Sequence, residues 1–131
     1  MRKLQTNLIK AQESLSSFLK ETTDKSDEEI KNLSIKFLDQ IQKKLTNKDD
    51  KTLILESLKE AKHNQPIYIN GISYISLCEH HMMPFHGSAS IAVFPKKKIL
   101  GISKFGDLVG HFSNDLTLQE KLTEKIASFI H

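Results

Sequence analysis

The 131-residue sequence predicts an α+β protein, and three observations lead there. Apolar residues recur at helical spacing through the first half of the chain, a β-branched and aromatic stretch follows Pro66, and the helical period returns after Ser103. The order is helices, then a ribbon of two long strands, then one or two closing helices. Two regions follow, a helical one over residues 1–64 and a strand-containing domain over residues 65–131.

The first helix is expected over residues 3–20, because Leu4, Leu8, Ala11, Leu15 and Phe18 recur at spacings of four and three and form one stripe. Ser26 with Glu29 three positions later reads as a capping box, in which each side chain satisfies an orphan amide at a helix start. The second helix begins there and carries Ile30, Leu33, Phe37, Leu38, Ile41 and Leu45 on its apolar face. Lys43, Lys44 and Lys48 complement the negative end of its dipole, and it should stop near Thr46. Asp49 and Asp50 can cap a third helix bearing Leu53, Leu55, Leu58 and Ala61, ended by Asn64 and Pro66.

Ile67, Tyr68, Ile69, Ile72, Tyr74 and Ile75 are strand-forming residue types. Asn70-Gly71 has the composition of a hairpin turn, but the three residues before it make too short an arm. One long strand with a bulge is therefore expected. Residues 88–94 form the second strand, 95–98 a turn, and 99–102 a brief extension of the sheet. Leu108, Val109 and Phe112, then Leu118, Leu122, Ile126 and Phe129, restore the helical period. A lone two-stranded ribbon is marginal in water, and both strands carry apolar residues on both faces. Their edges should recruit further copies of the chain, giving an obligate oligomer.

The composition excludes several classes. With 38% hydrophobic and 27% charged residues, the chain has the balance of a soluble globular domain and not of a disordered or collagen-like one. The net charge of +3 is spread among interleaved acids, and Lys96-Lys97-Lys98 is the longest basic block, so no nucleic-acid partner is indicated. No apolar run approaches the roughly 20 residues that span a bilayer, so no membrane partner is indicated. A single cysteine cannot form an intramolecular disulfide, and the N-terminus lacks the apolar core of a signal peptide; a reducing, cytoplasmic setting is expected.

That cysteine stands in Cys78-Glu79-His80-His81, where a strand-like run meets a turn near Pro84. Thiolate and imidazole are ligands that zinc prefers, and a catalytic zinc site typically uses three protein ligands plus an open position. In an ideal strand Cys78 and His80 share a face, whereas Cys78 and His81 meet only if the chain turns. Spacing alone leaves either histidine as the ligand, and a buried cysteine beside surface histidines is the bland alternative.

The stretch Ser76-Leu77-Cys78-Glu79-His80-His81-Met82-Met83-Pro84-Phe85-His86-Gly87, with Ile91-Ala92-Val93-Phe94-Pro95 and Gly101-Ile102-Ser103-Lys104, closely resembles GTP cyclohydrolase I. Leu118-Gln119-Glu120-Lys121-Leu122-Thr123 resembles that family's guanine-recognition helix. The similarity runs from about Pro66 to Ile126 and is faint in the N-terminal helices. The resemblance implies a partial tunnelling fold, in which β-ribbons backed by helices join edge to edge into rings, two of which stack as a homodecamer. It also implies hydrolysis of GTP to 7,8-dihydroneopterin triphosphate and formate, on the route to folate or biopterin.

Carried over position by position, Cys78 and His81 are implied zinc (Zn2+) ligands and His80 an acid/base group. Ser103 and Lys104 are implied contacts for the ribose-triphosphate end, and Gln119 and Glu120 for the guanine edge. The roles are chemically sound. Zinc makes water more acidic, towards a pKa of about 7, and an ordinary histidine titrates near neutrality. A carboxylate accepts hydrogen bonds from both N1–H and the exocyclic amine of guanine, and a lysine supplies a point charge for phosphate. His86 and His111 are expected at the surface or an interface, Met82 and Met83 as packing residues, and Glu79 as a structural partner of the site.

Some features depart from the family pattern. A second ribbon, a nearby histidine and cysteine that supply an acid/base group and the third zinc ligand, and a phosphate-binding arginine have no counterpart in the 131 residues. Asp107 stands where an arginine is usual, Asp115-Leu116 where Arg-Pro is usual, and the Thr-Pro-x-Arg signature is absent. The chain is thus expected to be a short or truncated enzyme subunit whose zinc site is completed by another polypeptide or an unexpected residue. The alternative is a non-catalytic paralogue that keeps the scaffold and binds zinc or a purine or pterin ligand.

Overall fold

The computed structural model describes residues 2–46, 51–62 and 64–131. It is an α+β structure whose chain divides into two compact units, Met1–Lys44 and Leu45–His131.

The first unit holds helix α1 (Arg2–Thr22) and helix α2 (Asp27–Thr46) as far as Lys44. The expected capping box starts α2: the Ser26 amide donates to Glu29 Oε2 at 3.1 Å, and the Glu29 amide donates to Ser26 Oγ at 3.4 Å. The helices meet where Ser16 Oγ donates to Ser34 Oγ at 2.9 Å, with Ser34 and Ile30 buried. Small side chains there allow a close approach. This rotates the inward stripe of α1 onto Gln12, Leu15, Ser16 and Leu19, at spacings of three, one and three, and corrects the expected stripe. Leu8, Ala11 and Phe18 are exposed, as are Leu33 and Phe37 on α2. The side chains of Leu4 and Leu53, and Lys48, Asp49 and Asp50 with the cap expected of them, lie outside the described residues.

In the second unit α3 (Lys51–Glu56) is short, and β1 (Leu58–Glu60) follows directly. The third helix therefore does not continue through Leu58 and Ala61 as its apolar spacing predicts. Ser57 closes it, since its amide and hydroxyl both donate to the Ile54 carbonyl, at 3.2 and 2.7 Å. Residues 58–60 then find a partner 40 positions away: Leu58 pairs with Leu100, Lys59 with Ile99 and Glu60 with Lys98, in β4 (Lys98–Leu100). That distant ladder outweighs local helix preference, and it also takes β4 out of the main sheet that it was expected to extend.

The main sheet has the order β3-β2-β5. Strand β2 (Ile67–Cys78) runs antiparallel to β3 (Pro84–Val93), with the expected irregularity between Ile69 and Ile72. Gly71 lies there at φ 78°, a conformation that glycine reaches without steric penalty. A second glycine requirement lies opposite Tyr74, where a Cβ on Gly87 would stand 2.7 Å from the tyrosine hydroxyl.

Helices α4 (Ile102–Ser113) and α5 (Gln119–Ile130) supply the other half of the core. Phe105, Leu108, Val109, Leu122 and Ile126 pack with Ile54, Ile91 and Leu100, against Ile69, Ile72, Tyr74, Ala89 and Val93 of the ribbon. The alternation of strand residues leaves the opposite face outward, with Tyr68 66% and Ile75 58% exposed and Phe94 67% exposed just past β3. Between the two helices, β5 (Leu116–Thr117) joins the end of β2 as a parallel strand. No helix among the described residues is long and apolar enough to cross a membrane.

Candidate functional site

Strand β2 ends on Cys78, and the chain reverses at once. The Cys78 amide donates to the Met83 carbonyl at 2.8 Å, and the Met82 amide donates to the Cys78 carbonyl, also at 2.8 Å. Met82 closes the turn at φ 55°. This reversal brings Cys78 Sγ to 3.7 Å from His81 Nδ1. Sulfur and nitrogen bound to one tetrahedral zinc, at about 2.3 and 2.0 Å from it, stand about 3.5 Å apart, so the pair fits two corners of such a site. His80 lies on the same turn, its ring edge-on to that of His81 with centroids 5.9 Å apart, and both rings are exposed. Among the described residues, no group of three or more His, Cys, Asp or Glu side chains is placed to hold a metal ion.

The turn is tied to the start of α5. In the β2–β5 ladder Leu77 is opposite Leu116 and Cys78 opposite Thr117, and the Glu79 amide donates to the Thr117 carbonyl at 3.3 Å. Ser76 Oγ donates to the Asp115 carbonyl at 3.2 Å. Glu79 Oε1 then meets Lys121 Nζ at 2.6 Å. Gln119 and Glu120, both exposed, occupy the first turn of α5, where the helix dipole favours a carboxylate. The cysteine–histidine turn and the Gln119-Glu120 pair are therefore neighbours through β5.

Ser103 and Lys104 occupy the first turn of α4. Ser103 is exposed, and Lys104 Nζ is engaged by Asp107 Oδ2 at 2.7 Å, so the acid that replaces the usual arginine also occupies the lysine. Two expectations are corrected. Met82 and Met83 do not pack but are 55% and 64% exposed, because the turn throws both outward. His111 is not at the surface: it is buried on α4 with its ring edge-on to Phe112 at 5.0 Å, since α4 turns that side inward along with Leu108. His86 is exposed on β3 opposite Ile75, as expected.

Sequence reasoning missed β5, Thr117 and Lys121. A two-residue strand has no period to detect, and the Glu79–Lys121 contact spans 42 positions.

The family model of GTP cyclohydrolase I matches residues 10–131. The chain belongs to the GTP cyclohydrolase I family. The match takes in most of the N-terminal helical unit, where the sequence resemblance was faint, and all the residues of the turn and of both helix starts. Among relatives, the chain is 43% identical over 77 residues to GTP cyclohydrolase 1 of Campylobacter jejuni strain RM1221, covering 59% of this chain and 40% of that protein. It is 45% identical over 71 residues to GTP cyclohydrolase 1 of Pseudoalteromonas atlantica, covering 54% and 39%. With GTP cyclohydrolase 1 of Dictyostelium discoideum it shares 40% identity over 78 residues, covering 60% and 34%. The chain thus spans about two-fifths or less of the length of these cyclohydrolase relatives.

Proposed function

We propose that this chain is a zinc-dependent subunit of GTP cyclohydrolase I type, which opens the guanine ring of GTP to give 7,8-dihydroneopterin triphosphate and formate. The observation that carries the reading is the 3.7 Å approach of Cys78 Sγ to His81 Nδ1 on a turn that leaves His80 beside them. It favours His81 over His80 as the partner of Cys78. The zinc ion, when bound by Cys78 and His81, would supply an acidic water for hydrolysis at the purine C8.

His80 then holds the proton that the departing ring nitrogen requires, and takes one back as base in the second half of the reaction. Glu120 accepts hydrogen bonds from N1–H and the exocyclic amine of guanine, with Gln119 beside it. Ser103 and Lys104 orient the ribose-triphosphate end. Further parts of the reading are a tunnelling fold, assembly of ribbons edge to edge into a ring that reaches a decamer, a cytoplasmic setting, and a third zinc ligand from a separate chain or an unexpected residue. Support for assembly comes from β3, which stands at the end of the sheet order with exposed Tyr68 and Phe94 nearby.

One observation favours a second reading, a non-catalytic paralogue that binds zinc or a purine or pterin ligand. Lys104 is already paired with Asp107, which leaves the implied triphosphate contact electrically neutral.

The test is zinc per subunit in the purified chain, followed by incubation with GTP and detection of formate and, after oxidation, of a fluorescent pterin. Metal with product is the expected result. Tightly held zinc without turnover selects the paralogue, and neither metal nor product overturns the enzyme reading and leaves a scaffold that holds no zinc. His80→Ala should lower turnover at least a hundredfold, the typical worth of an acid/base group, with zinc content unchanged. Retained turnover in that variant contradicts the role of His80.

A further inference from the structure

We propose that Glu79 and Lys121 form a clasp that couples the cysteine–histidine turn to the helix carrying Gln119 and Glu120, so that metal and guanine binding reinforce each other. The inference rests on the function proposed above and makes Glu79 a positioning residue within it.

Glu79 sits between Cys78 and the two histidines, so its backbone is part of the turn itself. Its amide donates to the Thr117 carbonyl at 3.3 Å, and its carboxylate meets Lys121 Nζ at 2.6 Å. Thr117 is fully buried and stands opposite Cys78 in the β2–β5 ladder. Two residues beyond Thr117 the chain enters α5 with Gln119 and Glu120, and Lys121 follows directly. The turn is therefore gripped at one point through the backbone and at another through the ion pair, and both grips lead to the same helix start. The Glu79 side chain is only 27% exposed, which shields the pair in part from solvent.

A ligand that orders one partner of such a clasp lowers the ordering cost left for the other. Coupling of this kind is reciprocal by thermodynamic necessity: zinc must tighten guanine binding by the same factor as guanine tightens zinc. An ion pair with one exposed partner contributes the equivalent of about two- to fivefold in an equilibrium constant. The pair also keeps the Glu79 carboxylate turned to Lys121 and not to the thiol beside it.

The experiment titrates the full chain with zinc against a chromophoric chelator, with and without saturating guanosine. Guanosine is the probe because it lacks phosphates that would chelate zinc themselves. In the wild-type chain guanosine should tighten zinc binding about two- to fivefold. Glu79→Gln and Lys121→Met should each lower that factor towards one, and the exchanged pair Glu79→Lys with Lys121→Glu should restore it. A merely structural contribution would change thermal stability without moving the ratio.

Unaltered coupling in both single variants overturns the clasp. So does a wild-type chain that binds zinc and guanosine independently. Loss of zinc from Glu79→Gln alone, with Lys121→Met retaining it, makes Glu79 a ligand and also overturns the clasp. A wild-type chain that binds neither probe overturns the proposed function itself, and the clasp with it.

Discussion

Met82 adopts a φ of 55°, a conformation that costs an L-residue other than glycine roughly 1–2 kcal/mol. The turn it closes brings Cys78 and His81 together, and its amide donates to the Cys78 carbonyl. Proline at this position can neither reach that φ nor donate. Met82→Pro should therefore weaken zinc binding at least tenfold, since a lost hydrogen bond and an excluded backbone conformation together exceed about 1.4 kcal/mol. Met82→Gly should retain wild-type affinity. Chelator competition measures both, and equal affinities in wild type and Met82→Pro would show that the turn does not position the pair. The ligand types at Cys78, His80 and His81 were legible from the sequence; spacing left the choice between the histidines open, and only the family resemblance implied His81. It turns on whether the strand ends at Cys78 or continues, and the Met82 and Met83 hydrogen bonds end it.

At the scale of elements, the start of α2 was readable because all its determinants lie within four residues. The Ser26 amide and hydroxyl donate to the Glu29 carboxylate, and with nearby Lys25 they hold its pKa below the ordinary value of 4.5. A carboxyl with a lowered folded-state pKa contributes stability that is present above its unfolded pKa and lost as pH falls through the folded one. Helicity of the first turn of α2 should thus be full above about pH 4.5 and decline below it. Amide chemical shifts of residues 27–30 across an acid titration check this, and Glu29→Gln should flatten the response. A Glu29→Gln chain with the same titration would assign the effect elsewhere. The β1–β4 ladder shows the opposite case: Leu58 and Ala61 carry helical spacing, yet Leu58–Glu60 pairs with Lys98–Leu100. Nothing local to residues 58–60 announces a partner at 98–100.

For the whole molecule, the outward face of the ribbon is the feature with consequences. Tyr68, Ile75 and Phe94 are each more than half exposed, and β3 is the terminal strand of its sheet. Unpaired edges beside apolar side chains recruit further strands. Sedimentation velocity should find the chain as oligomers, and Phe94→Lys should shift the distribution towards smaller species by placing a charge beside that edge. A monodisperse wild-type monomer would refute assembly through this face. The cavity of about 700 Å3 between β3 and α5, with Ala89, Ile91, Leu122 and Ile126 in its lining, opens beside the same edge. Cys78 and the two histidines of the turn do not line it.

The sequence by itself determined the fold class, the first two helices, the closing helices and the two long strands, the bulge at Asn70-Gly71, the capping box and the resemblance that the family match bears out. Each rests on residues within a few positions of one another or on ordered motifs. Only the tertiary structure decided how closely Cys78 and His81 approach, which stripe of α1 turns inward, that His111 is buried, and that Glu79 reaches Lys121. Those outcomes depend on pairings between segments distant in sequence, such as β1 with β4 and β2 with β5, whose energies no local pattern encodes.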